Sequence, residues 1–232
     1  MEIGGTVISS VEYNGKVSLV IFMAKCPLRC PHCHNSELLE NGEKTTLEKI
    51  FKTIDESSDY IDAVTISGNE PLVQFEEVIK ILKYSKSLGL KTKVDTSGCY
   101  PERLDKVLKY TDYIAIDIKA PFDKYKEIIG SDIGKKVEKS MRMANMSPNT
   151  FLECRTTYVP TLLDHKDIRQ ISREIICDLY TLQQFRSKNV LVNKLKDIKS
   201  PSLSELKELA KEIKPILKKV KIKTSAFGEK CI

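Results

Sequence analysis

Short β-rich runs alternate with helical stretches along most of this 232-residue chain, and that alternation limits its fold more than any other feature. Residues 17–23, 63–67, 91–95, 113–118, 151–158 and 179–184 read as strands, brief and mostly rich in Val, Ile, Thr, Tyr or Phe. Between them, about 47–56, 74–87, 101–109, 135–146 and 166–176 read as helices, with Gly89 and Pro160 as stops. Capping-box patterns at Thr45-Thr46-Leu47-Glu48 and Ser202-Leu203-Ser204-Glu205 open the first helix and a later one. Strand, helix and strand in succession imply parallel strands joined by crossover helices. Six such units suit an open doubly wound sheet or a partial barrel, and in both the loops at the strand C-terminal ends carry the site. Residues 6–9 are placed to pair with the first strand across Asn14-Gly15, a hairpin turn signal. Residues 220–224 read as a final strand, and 185–200 is the least regular stretch.

The first strand runs directly into Cys26-Pro27-Leu28-Arg29-Cys30-Pro31-His32-Cys33. Seven cysteines are present; Cys99, Cys154, Cys177 and Cys231 stand alone, without a partner at ligand spacing. With no export signal in view the thiols are expected to be reduced, so metal binding outranks disulfides. Three thiolates on one short loop can converge on one metal centre, and soft sulfur ligands select zinc or iron–sulfur. A closed structural zinc site wants four ligands, and His32, His34 or a distant Cys could supply the fourth. A 4Fe–4S cluster held by three cysteines leaves one iron open to an outside ligand.

The longest apolar run, 17–24, is far too short to span a membrane, and the N-terminus has no basic stretch ahead of an apolar one. A cytoplasmic protein with no membrane partner is expected. The net charge of +6 belongs to the end of the chain: from Arg186 onward there are 13 Lys/Arg against 5 Asp/Glu. Such a segment can meet nucleic acid or an acidic protein surface, or simply be a solvated helix face. Its only aromatic is Phe227, so no stacking platform for single strands is visible, and a nucleic-acid partner is not expected.

The cysteine spacing, with an aromatic-type residue (His32) before the last Cys, resembles the signature of the radical S-adenosylmethionine superfamily. Ser67-Gly68-Asn69-Glu70-Pro71 resembles that superfamily's Gly-Gly-Glu-Pro element, with Asn69 in place of the second Gly. Further elements resemble glycyl-radical-enzyme activating proteins, especially those of anaerobic ribonucleoside-triphosphate reductase. They are Gly15-Lys16, Cys33-His34-Asn35, Asp95-Thr96-Ser97-Gly98, Asp117-Ile118-Lys119, Arg155 before Val159-Pro160, and Leu182-Gln183-Gln184-Phe185.

The resemblance implies a partial (β/α)6 TIM-like barrel in one domain, 1–232, with a core of about 10–186 and a basic extension of about 187–232. It implies that Cys26, Cys30 and Cys33 hold a 4Fe–4S cluster. By the same resemblance, S-adenosylmethionine is expected to bind the open iron and to be cleaved by one electron to methionine and a 5′-deoxyadenosyl radical. His32 is expected to pack near the adenine, and Gly68, Asn69 and Glu70 to lie near the methionine amino group. Glu70 would either stabilise that group or anchor its loop. Asp95, Thr96 and Asp117 are expected beside a monovalent cation that balances two carboxylates facing an anionic ligand. Lys119 and Arg155 would neutralise carboxylate charge or orient substrate, with Lys119 counted among the catalytic residues. His34 and Arg186 complete the expected set. The implied partners are a glycyl radical enzyme, with anaerobic ribonucleotide reductase first, and a low-potential donor such as flavodoxin or ferredoxin. A radical enzyme for a small molecule or peptide, and a zinc-stabilised nucleic-acid-binding module, are the alternatives.

Overall fold

The Asn14-Gly15 turn closes a hairpin in which β1 (Glu2–Tyr13) runs antiparallel to β2 (Lys16–Met23), with Tyr13 opposite Lys16 and Gly15 at φ +73°. That positive φ is costly for any residue with a Cβ. The computed structural model describes residues 1–226 and 228–232; Phe227 lies outside the described residues. After the two-residue β3 (Glu43–Lys44), α1 (Leu47–Ser57) leads to β4 (Ala63–Gly68), and α2 (Phe75–Ser87) to β5 (Lys91–Thr96). Then α3 (Pro101–Leu108) leads to β6 (Tyr113–Asp117), and α4 (Tyr125–Ile129) with α5 (Gly134–Met146) to β7 (Phe151–Tyr158). Finally α6 (His165–Glu174) precedes β8 (Leu179–Gln184), and α7 (Leu203–Ile213) precedes the hairpin of β9 (Val220–Thr224) and β10 (Gly228–Cys231). All ten strands form one sheet in the order β10-β9-β8-β7-β6-β5-β4-β2-β1-β3. The strands from β2 through β9 pair in parallel, while β1, β3 and β10 add antiparallel edges. The six expected strand–helix units thus form a partial barrel, and β9 adds a seventh parallel strand from the basic segment.

Local signals held with small departures. Thr46 caps α1 by accepting from the Lys49 N–H, but Lys49 stands where a box needs Glu, so that box is half built. The Ser202–Glu205 box is complete. A second complete box, Asp164–Asp167, starts α6 without having been anticipated; Asp at the third helical position does the work usually given to Glu. No helix among the described residues is long and apolar enough to cross a membrane.

The sheet's outer face packs on the helices through an apolar core that includes Ile66, Val94, Ile114, Ile116, Leu152 and Leu182. The inner face differs. At its lower end Tyr13, Ala63, Tyr113 and Ala115 cluster, with the Tyr13 and Tyr113 rings edge-on at 5.2 Å. Above them the inward residues of β7 and β8, Glu153, Arg155, Thr157, Thr181 and Gln183, are polar. Between Ser9 and Tyr13 the β1 register slips, and the released Glu12 crosses the open side of the barrel. Its carbonyl accepts from Lys93 Nζ, and its carboxylate lies 3.4 Å from Lys223 Nζ, linking β1 to β9.

Candidate active site at the strand C-terminal ends

Lys25 turns the chain out of β2 with a φ of +73°, one of two non-glycine residues with positive φ among those described. The Lys25 and Cys26 N–H groups donate to the Leu38 and Leu39 carbonyls at 2.8 and 3.1 Å, which closes the cysteine loop at its base. Leu28, Cys30 and Leu39 are its buried feet. Arg29 clamps the loop from outside through the Cys26 and Leu28 carbonyls and Glu40. All three thiols are free and line one cavity of about 170 Å3. Burial pushes Cys26 up to about 12 and raises Cys30 as well, while the positive charge of Lys119 acts against both shifts. The Cys26 and Cys30 thiols stay protonated until a metal's charge replaces the proton.

Gly68 holds the neighbouring loop against this one. A Cβ there would lie 2.5 Å from the Met23 carbonyl oxygen, and φ is +99°. The bare backbone lets Asn69 N donate to Met23 O at 3.0 Å and Glu70 N to Lys25 O at 3.1 Å. Asn69 thereby reaches the cavity, where its Nδ2 and His32 Nδ1 are buried polar atoms without a protein partner. Burial, aided by Lys119, brings His32 down to about 3, so the ring is neutral.

The Glu70 carboxylate is fully buried and turned beneath the cavity. It accepts from Leu72 N at 3.1 Å, Thr96 Oγ1 at 2.7 Å, Ser97 N at 2.9 Å, Ser97 Oγ, and Cys99 Sγ at 3.8 Å. A carboxylate has about four lone-pair sites, so this one has none left for a ligand. These bonds tie the loop that carries Glu70 to the end of β5. Thr96, expected beside the cofactor, is likewise turned toward Glu70.

Asp95 and Asp117 do converge, but on Arg155. Its Nε lies 2.9 Å from Asp117 and its Nη1 3.1 Å from Asp95. Lys119 Nζ adds a contact of 3.1 Å to Asp117, Lys93 Nζ lies 3.2 Å from Asp95, and Ser67 Oγ donates to Asp95 at 2.8 Å. Burial alone would raise both carboxyls, yet the surrounding cations hold them below the ordinary Asp range. The protein's own guanidinium and ammonium groups thus lie against both carboxylates expected beside a monovalent cation. Arg155 and Asp95 sit one layer below the cavity, whereas Asp117 and Lys119 line it.

A second polar cavity, of about 270 Å3, shares His34 and Thr157 with the first and continues past Gln183 and Arg186 toward Lys223 and Glu12. Arg186 is thus on this adjoining side, away from the thiols. His34 Nδ1 lies 3.0 Å from the Lys188 carbonyl, and its ring sits 6.3 Å from that of Phe185. Sequence reasoning missed Ser97 and Thr157 as lining residues. Thr157 was within reach, since it stands two residues after Arg155 and strand alternation puts both on one face.

The family model described as the radical SAM superfamily matches residues 20–173. The chain belongs to the radical SAM superfamily. Over 226 residues it is 40% identical to a Methanocaldococcus jannaschii protein assigned as a glycyl-radical enzyme activating enzyme, covering 94% of this chain and 93% of the relative. A pyruvate formate-lyase-activating enzyme of Clostridium pasteurianum is 32% identical over 235 residues, covering 90% and 98%. A domain of a Bacteroides vulgatus pyruvate-formate lyase-activating enzyme superposes with a TM-score of 0.54 at 20% identity, over 69% of this chain and 98% of that one. Streptococcus suis SuiB bound to its precursor peptide gives 0.71 at 16% identity over 89% of this chain, which spans about half (48%) of SuiB, and this likeness carries the fold alone. Within the superfamily, the chain belongs to the family of glycyl-radical-enzyme activating enzymes.

Radical SAM enzymes of this kind use a 4Fe–4S cluster and S-adenosylmethionine. The residues present fit both groups. Three soft donors face one cavity, and two buried polar atoms there, His32 Nδ1 and Asn69 Nδ2, lack the partners that a polar small molecule would bring. A neutral imidazole, a carboxylate and an ammonium group beside them offer an apolar ring face and contacts of both signs.

Proposed function

We propose that this enzyme generates a glycyl radical on a partner protein, with anaerobic ribonucleoside-triphosphate reductase as the first candidate. The observation that carries the reading is the second cavity. It opens beside the thiol-lined one through shared His34 and Thr157, and it is lined by amide and hydroxyl side chains such as Gln183, Gln184 and Ser225. Amides and hydroxyls match the alternating donors and acceptors of a polypeptide backbone, which a glycine presents without a side chain in the way. In this reading residues 1–232 act as one unit, since β9 of the basic segment supplies part of that lining.

Cys26, Cys30 and Cys33 would hold the cluster, and His32, Asn69, Asp117 and Lys119 would face S-adenosylmethionine. When bound, the pair supplies a 5′-deoxyadenosyl radical able to take hydrogen from an unactivated C–H bond. The chain itself positions and shields. Glu70 ties the loops after β4 and β5 together, Gly68 keeps Asn69 against β2, and Arg155 fixes Asp117 so that Lys119 has a rigid counter-charge. Candidate partners follow from two sources: the motif order favours anaerobic ribonucleotide reductase, and the relatives' names favour pyruvate formate-lyase.

The test is anaerobic reconstitution with iron, sulfide, S-adenosylmethionine and dithionite, with each candidate partner in turn. A glycyl-radical resonance on one partner and stoichiometric 5′-deoxyadenosine are expected, and Cys30→Ala should abolish both. Formation of 5′-deoxyadenosine with neither partner radicalised would shift the reading to a small molecule or peptide substrate.

A further inference from the structure

The basic segment is not a solvated appendage where it leaves β8. Residues 186–199 form a strap across the cysteine loop. Its inward residues, Val190 and Leu195 with Ile198, pack on Val159 and Phe185. Asn189, in the left-handed region at φ +57°, turns Val190 into that pocket. Two hydrogen bonds tie the strap to neighbours of the cysteines: Val192 N donates to Pro31 O at 3.1 Å, and His34 Nδ1 meets Lys188 O at 3.0 Å. The outward residues are cationic. Lys188, Lys194, Lys196 and Lys199 are exposed, with Asp197 as the strap's own carboxylate. None of these four cations has a carboxylate oxygen within 4.0 Å among the described residues. Val192 lies among them, 38% exposed.

We propose that this strap is the docking surface for an acidic electron-transfer protein. The inference rests on the reading of the chain as a cluster enzyme, whose chemistry consumes an electron. The cavity side is taken by cofactor and substrate, so an electron must enter from another face. The strap is a face in direct hydrogen-bonded contact with Pro31, next to Cys30, and with His34, next to Cys33. A face of unpaired cations beside the exposed Val192 fits a partner with a carboxylate-rich rim around a surface redox group. Each encounter passes one electron: the donor is oxidised by one equivalent, the cluster is reduced by one, and no atom is exchanged. Nucleic acid fits less well, because the strap offers no aromatic side chain for stacking.

The experiment compares wild type, Lys194→Glu/Lys196→Glu, and a control of equal charge change on a remote helix, Lys80→Glu/Lys83→Glu. Binding of an oxidised, acidic flavodoxin is titrated calorimetrically at low and high salt. Formation of 5′-deoxyadenosine is then followed with reduced flavodoxin or with dithionite. The expected result is flavodoxin affinity weakened about tenfold or more in the strap variant, with its salt dependence flattened. Flavodoxin-driven turnover should fall by a similar factor while dithionite-driven turnover stays at the wild-type rate, and the control should behave as wild type. Equal losses in strap and control variants would overturn the proposal, as would unchanged binding. So would a strap variant that fails to radicalise its protein substrate under dithionite, which marks a substrate dock, or one that loses only binding to duplex DNA. A wild type that cleaves no S-adenosylmethionine with dithionite breaks the enzymatic reading instead, and the titration still judges the dock.

Discussion

On β7, Leu152 and Cys154 face the helices, while their immediate neighbours Glu153 and Arg155 face the barrel interior. Both sets are nearly sealed from water, yet they are held by different physics. The outer set gains from removing apolar area from water, a non-directional effect that tolerates exchange of one aliphatic for another. The inner set is specified pair by pair. Tyr113 Oη donates to Glu153 at 2.8 Å, Lys221 Nζ lies 3.6 Å from it, and Arg155 spans Asp95 and Asp117. Loss of one partner there strands a charge in a poor solvent. An interior built this way keeps side chains in single positions, which a site that must aim one reactive atom requires.

The contrast is tested most severely by Arg155→Met. Removing the guanidinium leaves Asp95 and Asp117 short of compensation, and a loss of about 3–5 kcal/mol in urea denaturation at pH 7 is expected. The same variant should change the acid profile. Asp95, Asp117 and Glu153 are held below their ordinary range, because nearby cations outweigh burial. Depressed carboxyls stabilise the fold fully above their unfolded values of about 4, and that contribution is lost as pH falls through the folded values. Wild type should therefore weaken from about pH 4 downward, and Arg155→Met should show a flatter decline. An identical slope in both would mean the ladder is not the origin.

Glu70→Gln comes next. It sets an amide NH2 against groups that are themselves donors, at a cost of about 1–3 kcal/mol. Iron content after reconstitution should match wild type, while affinity for S-adenosylmethionine falls, because the loop bearing Asn69 loses its anchor. Unchanged affinity would remove the anchoring role. The smallest effect belongs to the outer face: Ile114→Val should cost about 1 kcal/mol, with wild-type cofactor affinity and acid profile.

Much of this was legible beforehand. The hairpin at Asn14-Gly15, the parallel strands and the cysteine loop are written in local patterns a few residues long. What escaped was written across the chain. Lys93, Glu153 and Lys221 look like ordinary outward charges of half-exposed strands, since alternation tells which residues share a face and not whether water or another strand lies opposite. Glu70 carried a motif's expectation of either ligand contact or loop anchoring, and four donors from Thr96, Ser97 and Cys99 with Leu72 N occupy its carboxylate. Arg155 was read as a substrate or carboxylate partner, and only the geometry makes it the bridge between two aspartates.

The contact between Glu12 and Lys223 joins positions separated by 211 in sequence. As the chain leaves the ribosome, its first edge is ready long before the strand that must meet it has been made. Until then the ladder of charges stands open to water, and each carboxylate and ammonium group is solvated separately. Pairings this distant slow folding, because chain entropy is spent before any contact repays it. Maturation of such a protein therefore has a built-in order. The cysteine loop is made well before β9 and is open to metal by then, whereas the barrel interior closes only with β9.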